Sequence, residues 1–438
     1  MTFIIILFCI IALIILITWA RVNPFLAFLM VSTAAGLLLG IPYSTVMKSV
    51  TKGIGDTLGS LVIVIVLGAM LGKLVAESGA AKKIALVFQN LFGAKYLVWA
   101  MTLTGFVVGI PLYYNVGFVL LVPIIFSVAY YNKLPLVYVG LPMLASLSVM
   151  HGFLPPHPSP MALVIQFNAD LTTTFFYGLC IAFPAIVIAG PLFSRTLKDI
   201  KSDERKINLT DSLPNEKLPG IVNSLISSLL PVLIISITAL ATRIFGDNSL
   251  VKEVLVFLGD PNVVMGLTLI IATYSLGISS GKRLSEVMQI YSDAVKEIAM
   301  ILLIIGSAGI LKQIFIDSGV SKEIADVLAG WHLPPLLLAW VVTAILRLCL
   351  GSATIAGLTA AGIIYPVTMQ TNVDPNLMVL SIGAGSLFFS HVNDTAFWMF
   401  KEYFGLSMKD TFRTWTIMET IVSVIGLGGV LVISQCLS

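Results

Sequence analysis

The sequence predicts an all-α polytopic membrane protein made of two homologous repeats of transmembrane helices. Three observations carry that prediction. Of the 438 residues 58% are hydrophobic and only 11% charged, where a soluble domain has roughly a quarter charged, and the mean hydropathy is +1.01. The chain repeats itself at an offset of 240 residues: LGAMLGKLVAESGAAKKIA (67–85) returns as SAGILKQIFIDSGVSKEIA (307–325), with Gly79 on Gly319 and, further on, His151 on His391. Polar, helix-breaking strings interrupt the apolar sequence at matched places in the two copies.

The elements follow in order. A spanning helix needs about 20 mostly apolar residues, which predicts helices over 3–19, 24–43, 97–110, 116–131, 135–150 and 175–194 in the first copy. The second copy gives 221–244, 262–278, 335–350, 355–369, 377–390 and 414–435. Phe3–Trp19 has no basic start and no small-residue cleavage site, and another apolar run follows at once, so it reads as a retained helix and not a signal peptide. Segments 44–56 and 282–296 are polar-periodic and predict interfacial amphipathic helices, as does AKKIALVFQNLF (81–92), with Lys82 and Lys83 opposite Ile84, Val87, Phe88 and Leu91. Segments 58–76 and 297–315 correspond in the repeat, carry Lys73 and Lys312, and are punctuated by glycine; they are predicted to be hairpins that enter the membrane without crossing it.

The stretch 195–219 is polar and contains Arg195, Lys198, Lys201, Arg205, Lys206 and Lys217. It divides a first transmembrane repeat, 1–194, from a second, 220–438, and its basic excess assigns it to the cytoplasmic side. An odd number of crossings per copy would invert the second copy against the first. That arrangement has a pseudo-two-fold axis in the membrane plane and is the architecture of alternating-access secondary transporters, whose site lies where the copies meet.

Other functions are excluded by what the chain lacks. A net charge of +3 without an Arg/Lys run interleaved with aromatics does not suit nucleic acid. Cys9, Cys180, Cys349 and Cys436 stand singly, so neither a disulfide framework nor a zinc site is expected. With four histidines and no HExxH, no metal or other cofactor is expected, and no catalytic residues are assigned. No Walker loop or nucleophile elbow is present, so any driving energy comes from an ion gradient, or the process is passive.

The breaks come in pairs. GIPLYYNVG (109–117) corresponds to LRLCLGSAT (346–354), and HGFLPPHPSP (151–160) to SHVNDTAFW (390–398). Broken helices at membrane depth expose backbone groups, which is tolerated where they line a cavity; half-helix N-termini suit anions. Arg347 is alone in an otherwise uncharged stretch. It either snorkels to an interface or clamps a carboxylate, of the protein or of a substrate. His151, His391 and Asp394 are candidates for carrying protons, with static hydrogen bonding the alternative for either histidine.

At these strings, together with GIGDTLGSL (53–61), YYNVGFVLLVPIIF (113–126), LGDP (258–261) and SHVNDTAFWMFKEYF (390–404), the chain resembles the gluconate:H⁺ symporter family over essentially its whole length. The resemblance implies a multi-pass permease of the bacterial inner membrane that imports gluconate or a close sugar-acid anion with a proton. It also implies the inverted repeats with re-entrant hairpins of an ion-transporter superfamily, often homodimeric in the lipid. SHVND is kept in gluconate-type members and not in the D-serine type. Many members carry an acidic residue where this chain has Asn115, and SHVNDPGFW of the family reads SHVNDTAFW here. The expected site therefore uses Arg347 with the N–H groups of the Gly351–Thr354 break for the substrate carboxylate, and Asn115, His151, Ser352 and Asn393 for its hydroxyls. Asp394 and His391 are the expected proton carriers. The alternatives are a carrier of D-serine or a hexuronate, Na⁺-coupled because Asn115 is neutral, and an intramembrane enzyme using His391 and Asp394.

Overall fold

In the computed structural model, residues 2–200, 202, 218–245, 249–320, 330, 333–392 and 394–437 are described, and among them all regular structure is helical. The first copy contains α1 (Thr2–Thr18), α2 (Pro24–Leu38), α3 (Tyr43–Glu77), α4 (Ala80–Phe92), α5 (Leu97–Gly109), α6 (Tyr114–Asn132), α7 (Leu136–Phe153), α8 (Pro158–Gln166) and α9 (Leu171–Val187). Then come α10 (Ile221–Phe245), α11 (Ser249–Gly259), α12 (Pro261–Ala272), α13 (Leu284–Asp317), α14 (Pro335–Leu350), α15 (Ala353–Gln370), α16 (Pro375–Ser386), α17 (Thr395–Tyr403) and α18 (Ile417–Leu437). Most of the polar segment 195–219 and the repeat's 321–325 lie outside the described residues.

Contacts between helices exchange when the copies are exchanged. Helix α2 packs on α13 as α12 packs on α3; α5 packs on α7 as α14 packs on α16; α9 packs on α16 and α7 on α18. A two-fold relation between the copies requires this reciprocity. Its centre is the crossing of α3 and α13, which pack on each other more extensively than any other pair. Glycines allow the approach: a Cβ on Gly309 would lie 2.0 Å from the Thr57 hydroxyl oxygen and 2.5 Å from the Gly53 carbonyl oxygen, and one on Gly53 would lie 2.6 Å from the Gly309 carbonyl oxygen. Small residues at a membrane helix crossing bring the backbones into van der Waals contact, the main attraction available where lipid is as apolar as the side chains.

This crossing corrects two expectations. Segments 44–56 and 58–76 are not an interfacial helix and a hairpin but the two halves of α3, a 35-residue helix bent by 45° between Gly59 and Leu61. Segments 282–296 and 297–315 likewise merge into the 34-residue α13. Gly53, Gly72, Gly306 and Gly309 serve close helix contact instead of turns.

The true breaks lie elsewhere. The α4 helix turns by 111° into the segment ending with α5, through Gly93 at φ +62°. The 97–110 stretch is therefore a 13-residue half-helix, about 20 Å long and too short to cross about 30 Å of hydrocarbon alone. Stretches 335–350 and 377–390 form α14 of 16 residues and α16 of 12. Among the described residues seven helices are long and apolar enough to cross a membrane, or nine if each of two bent pairs is one span. Apolar side chains such as Phe183, Ile237 and Ile270 cover the outer surface, as a lipid-facing surface requires.

The crossing gives a stability prediction. Gly309→Val overpacks the α3–α13 contact and is expected to cost about 1–3 kcal/mol, lowering the thermal unfolding midpoint in detergent. Gly55→Ala, with nothing within 4 Å of the added Cβ, is expected to leave the midpoint unchanged or raise it. Equal midpoints for Gly309→Val and the unaltered protein would show that the crossing does not need the glycine.

Candidate functional site

Each break has a local cause. Helix α14 ends because Gly351 adopts the left-handed region at φ +73°, a conformation a side chain disfavours; its N–H donates to the Arg347 carbonyl at 3.1 Å. Ser352 then caps α15, its hydroxyl accepting from the Ile355 N–H at 3.4 Å. The α7 helix stops before Pro155-Pro156, a cis peptide, and α8 restarts at Pro158, where a missing N–H costs nothing. After α16 the chain runs irregularly to Asp394, which caps α17 by accepting the Ala396 N–H at 3.0 Å.

These breaks surround one cavity of about 360 Å³. Three helix N-termini open into it, from α6 (Tyr114, Asn115), α15 (Ala353, Thr354) and α17 (Thr395, Ala396). Converging N-termini present N–H groups and positive dipole ends, which favours an anion.

Arg347 supplies the charge. It is only 3% exposed, and its Nη2 donates to the Asp394 carboxylate. The Ser390 hydroxyl donates to the same carboxylate oxygen, the Trp415 indole N–H donates to the Ser390 hydroxyl oxygen at 2.8 Å, and the Thr416 hydroxyl donates to the Ser390 carbonyl at 2.6 Å. Asp394 is thus held on both oxygens and holds Arg347 in turn. The guanidinium is a clamp and does not snorkel.

The rest of the wall is under-satisfied. Arg347 Nε and Nη1, the Tyr114 hydroxyl, His151 Nδ1 and both Glu419 oxygens have no hydrogen-bond partner among the described residues, and all four residues that carry those atoms line the same cavity, as does Asp394. The Ser148 hydroxyl stands beside the Glu419 carboxyl. Buried polar groups are ordinarily paired; donors and acceptors left open around one cavity fit a polar, anionic ligand.

Of the residues expected from sequence, Asn115, His151, Arg347, Gly351, Ser352, Thr354 and Asp394 all line this cavity. His391 does not. Its Nε2 lies 3.1 Å from the Leu348 carbonyl oxygen and its ring packs near Phe389, behind the α14 terminus. Asn393 lies outside the described residues. Asn115, Tyr113 and Ile301 also face a second chamber of about 710 Å³, which Lys73, Glu77 and Glu297 line. Lys73 bridges these, 2.5 Å from Glu297 and 3.5 Å from Glu77, and so ties α3 to α13. Lys312 instead donates to the Gln166 carbonyl at 2.9 Å over the Tyr365 ring. Sequence reasoning missed Ser148, Trp415 and Glu419. The signal for Glu419 was present, as the one charged residue in the apolar run 414–435.

Residues 1–436 match the description GntP family permease. The chain is 42% identical to a high-affinity gluconate transporter of Escherichia coli over 416 residues, 95% of each chain. It is 42% identical to the Gnt-II system L-idonate transporter of the same organism and to a gluconate permease of Bacillus subtilis, each covering 97% of both chains. The crystal structure of the Alcanivorax borkumensis YdaH transporter, described as having an unusual topology, superposes with a TM-score of 0.67 at 15% identity, covering 94% of this chain and 97% of that one. At that identity it supports the fold alone.

The buried ion pair gives its own prediction. Asp394→Ala leaves the guanidinium without its carboxylate and is expected to destabilise the protein by about 3–5 kcal/mol, whereas Arg347→Met with Asp394→Leu removes both charges and loses much less. Thermal unfolding of the single and double variants in detergent checks this; a double variant no more stable than Asp394→Ala contradicts it.

Proposed function

The chain belongs to the GntP permease family, and on that premise we propose that it imports gluconate or a closely related sugar acid across the bacterial inner membrane together with a proton. The observation that carries the reading is the cavity at the meeting of the two copies, where a buried arginine and three helix N-termini face one small volume. At about 360 Å³ it falls within the size range of small-molecule sites, about 300–1,000 Å³. The names of the relatives, gluconate and L-idonate transporters, support a polyhydroxy acid.

The geometry suggests how such an anion is held. The substrate carboxylate takes the Arg347 donors that Asp394 leaves unused, Nε and Nη1, and the N–H groups at the Gly351–Thr354 break. Charge-assisted bonds of this kind are about twice as strong as neutral ones. Asn115, His151 and Ser352 offer hydrogen bonds to the hydroxyls, with Asn393 in the same proposal. Asn115 lines both chambers.

Coupling to a proton needs a group at the cavity whose charge changes. Of the two residues expected to serve, Asp394 faces the cavity and His391 stands behind it against Leu348. Alternating access follows from rocking one copy against the other about the α3–α13 crossing, the usual motion of two-fold repeat transporters.

The test is uptake of labelled gluconate by proteoliposomes. An inward proton gradient is expected to drive accumulation that a protonophore abolishes, with D-serine and hexuronates competing poorly. Accumulation that follows sodium instead, or none above equilibrium, would overturn the coupling. Arg347→Lys, which keeps charge but loses the planar donor set, is expected to raise KM by roughly tenfold to a hundredfold, equivalent to about 1.4–2.7 kcal/mol.

A further inference from the structure

We propose that Glu419 is the group that takes up and releases the co-transported proton, and that Arg347 links its protonation to the binding of the anion. This rests on the reading of the chain as a proton-coupled sugar-acid permease.

Two carboxyl groups, Asp394 and Glu419, line one cavity and differ in their surroundings. Both Asp394 oxygens are committed: one holds Arg347 Nη2 and the Ser390 hydroxyl, the other the Ala396 N–H at the start of α17. Glu419 is 1% exposed, lies in the first turn of α18, and has neither oxygen hydrogen-bonded among the described residues. Unlike Asp394, it has no guanidinium or backbone N–H donor to lose when it is protonated. Buried ionisable groups inside a membrane protein ordinarily have a charged partner or a function, and among the described residues no cation is hydrogen-bonded to this one, whose polar neighbour is the Ser148 hydroxyl.

Charge balance supplies the direction. The titratable and charged groups facing Glu419 are Arg347 on α14, Asp394 at the start of α17, His151 on α7 and Tyr114 on α6, with the Ser148 hydroxyl beside it. With Glu419 ionised, one guanidinium stands against two carboxylates and the cavity repels an anion. With Glu419 neutral, Arg347 and Asp394 cancel, and the unused guanidinium donors and the helix N-termini attract it. Proton and anion therefore favour each other's binding, and by linkage each raises the affinity for the other equally. In the step itself a proton from water bonds to a Glu419 carboxylate oxygen on the loading side and returns to water on the release side. No bond of the substrate changes.

The experiment uses the full chain in proteoliposomes with labelled gluconate, in two modes. Glu419→Gln mimics the protonated carboxyl. It is expected to reduce proton-driven accumulation at least about tenfold while exchange of internal unlabelled for external labelled gluconate persists within about threefold, its rate no longer varying between pH 5.5 and pH 8. Glu419→Asp keeps a carboxyl on a shorter arm and is expected to keep proton-driven accumulation with a displaced pH profile. Accumulation by Glu419→Gln equal to that of the unaltered protein overturns the proposal, as does an unmoved profile in Glu419→Asp. Loss of exchange together with accumulation in a Glu419→Gln protein that remains monodisperse overturns it as well, since the residue would then hold substrate or structure instead. Failure of the unaltered protein to accumulate gluconate under a proton gradient overturns the transport reading, which is a separate result.

Discussion

A guanidinium removed from water must be paired, and the Arg347–Asp394 contact organises everything around it. Arg347 sits in the last turn of α14, so its partner has to arrive from another element. Asp394 does so from the N-cap of α17, which requires the chain after α16 to run irregularly at that depth. Ser390 then orients the carboxylate, and Trp415 and Thr416 fix Ser390 from the segment leading into α18. One charge pair thereby joins α14, α17 and α18. The left-handed Gly351 ends α14 directly after the arginine, so that the N-terminus of α15 opens beside it. Leaving one partner alone in such a place is far more costly than removing both, and for that reason the pair constrains the architecture more than it stabilises it.

The scaffold is two-fold but the chemistry is not. Helix contacts exchange between copies, and both copies break their helices at equivalent positions. In the register that puts Trp99 on Trp340, Phe106 stands where the second copy has Arg347; in the register of the histidines, Leu154 stands where it has Asp394. The first copy contributes hydrogen-bonding groups, Asn115, Tyr114, Ser148 and His151, and the second contributes all three charges, Arg347, Asp394 and Glu419. The cavity wall is therefore asymmetric, with hydrogen-bonding groups from one copy and the charged groups from the other.

Much of this was legible beforehand because proline, glycine and isolated charges are local signals. The breaks at 109–117, 346–354 and 151–160 carry proline or glycine, and 390–398, which has neither, is located by its correspondence with 151–160 in the repeat. Arg347 stood out because nothing near it in sequence neutralises it. Other features were hidden by the same locality. Gly53 is a turn signal by itself and becomes a contact residue only because α13 lies across it. Glu419 is averaged away by an apolar window. His391 shares a repeat position with His151, yet it faces the Leu348 carbonyl while His151 faces the cavity, because equal places in a duplicated sequence do not have equal neighbours once the partner copies differ.

Sequence alone determined that the chain is a membrane-embedded duplication with four broken helices and an unneutralised arginine, since hydropathy, repetition and helix-breaking residues act through the chain itself. Tertiary structure decided which carboxylate meets Arg347, which polar atoms are left open, and that α3 and α13 are continuous helices crossing at glycines. Those outcomes depend on distances between residues tens to hundreds of positions apart. Burial then turns each such distance into an energy, because in a low-dielectric interior an unmet charge or hydrogen bond has no water to fall back on.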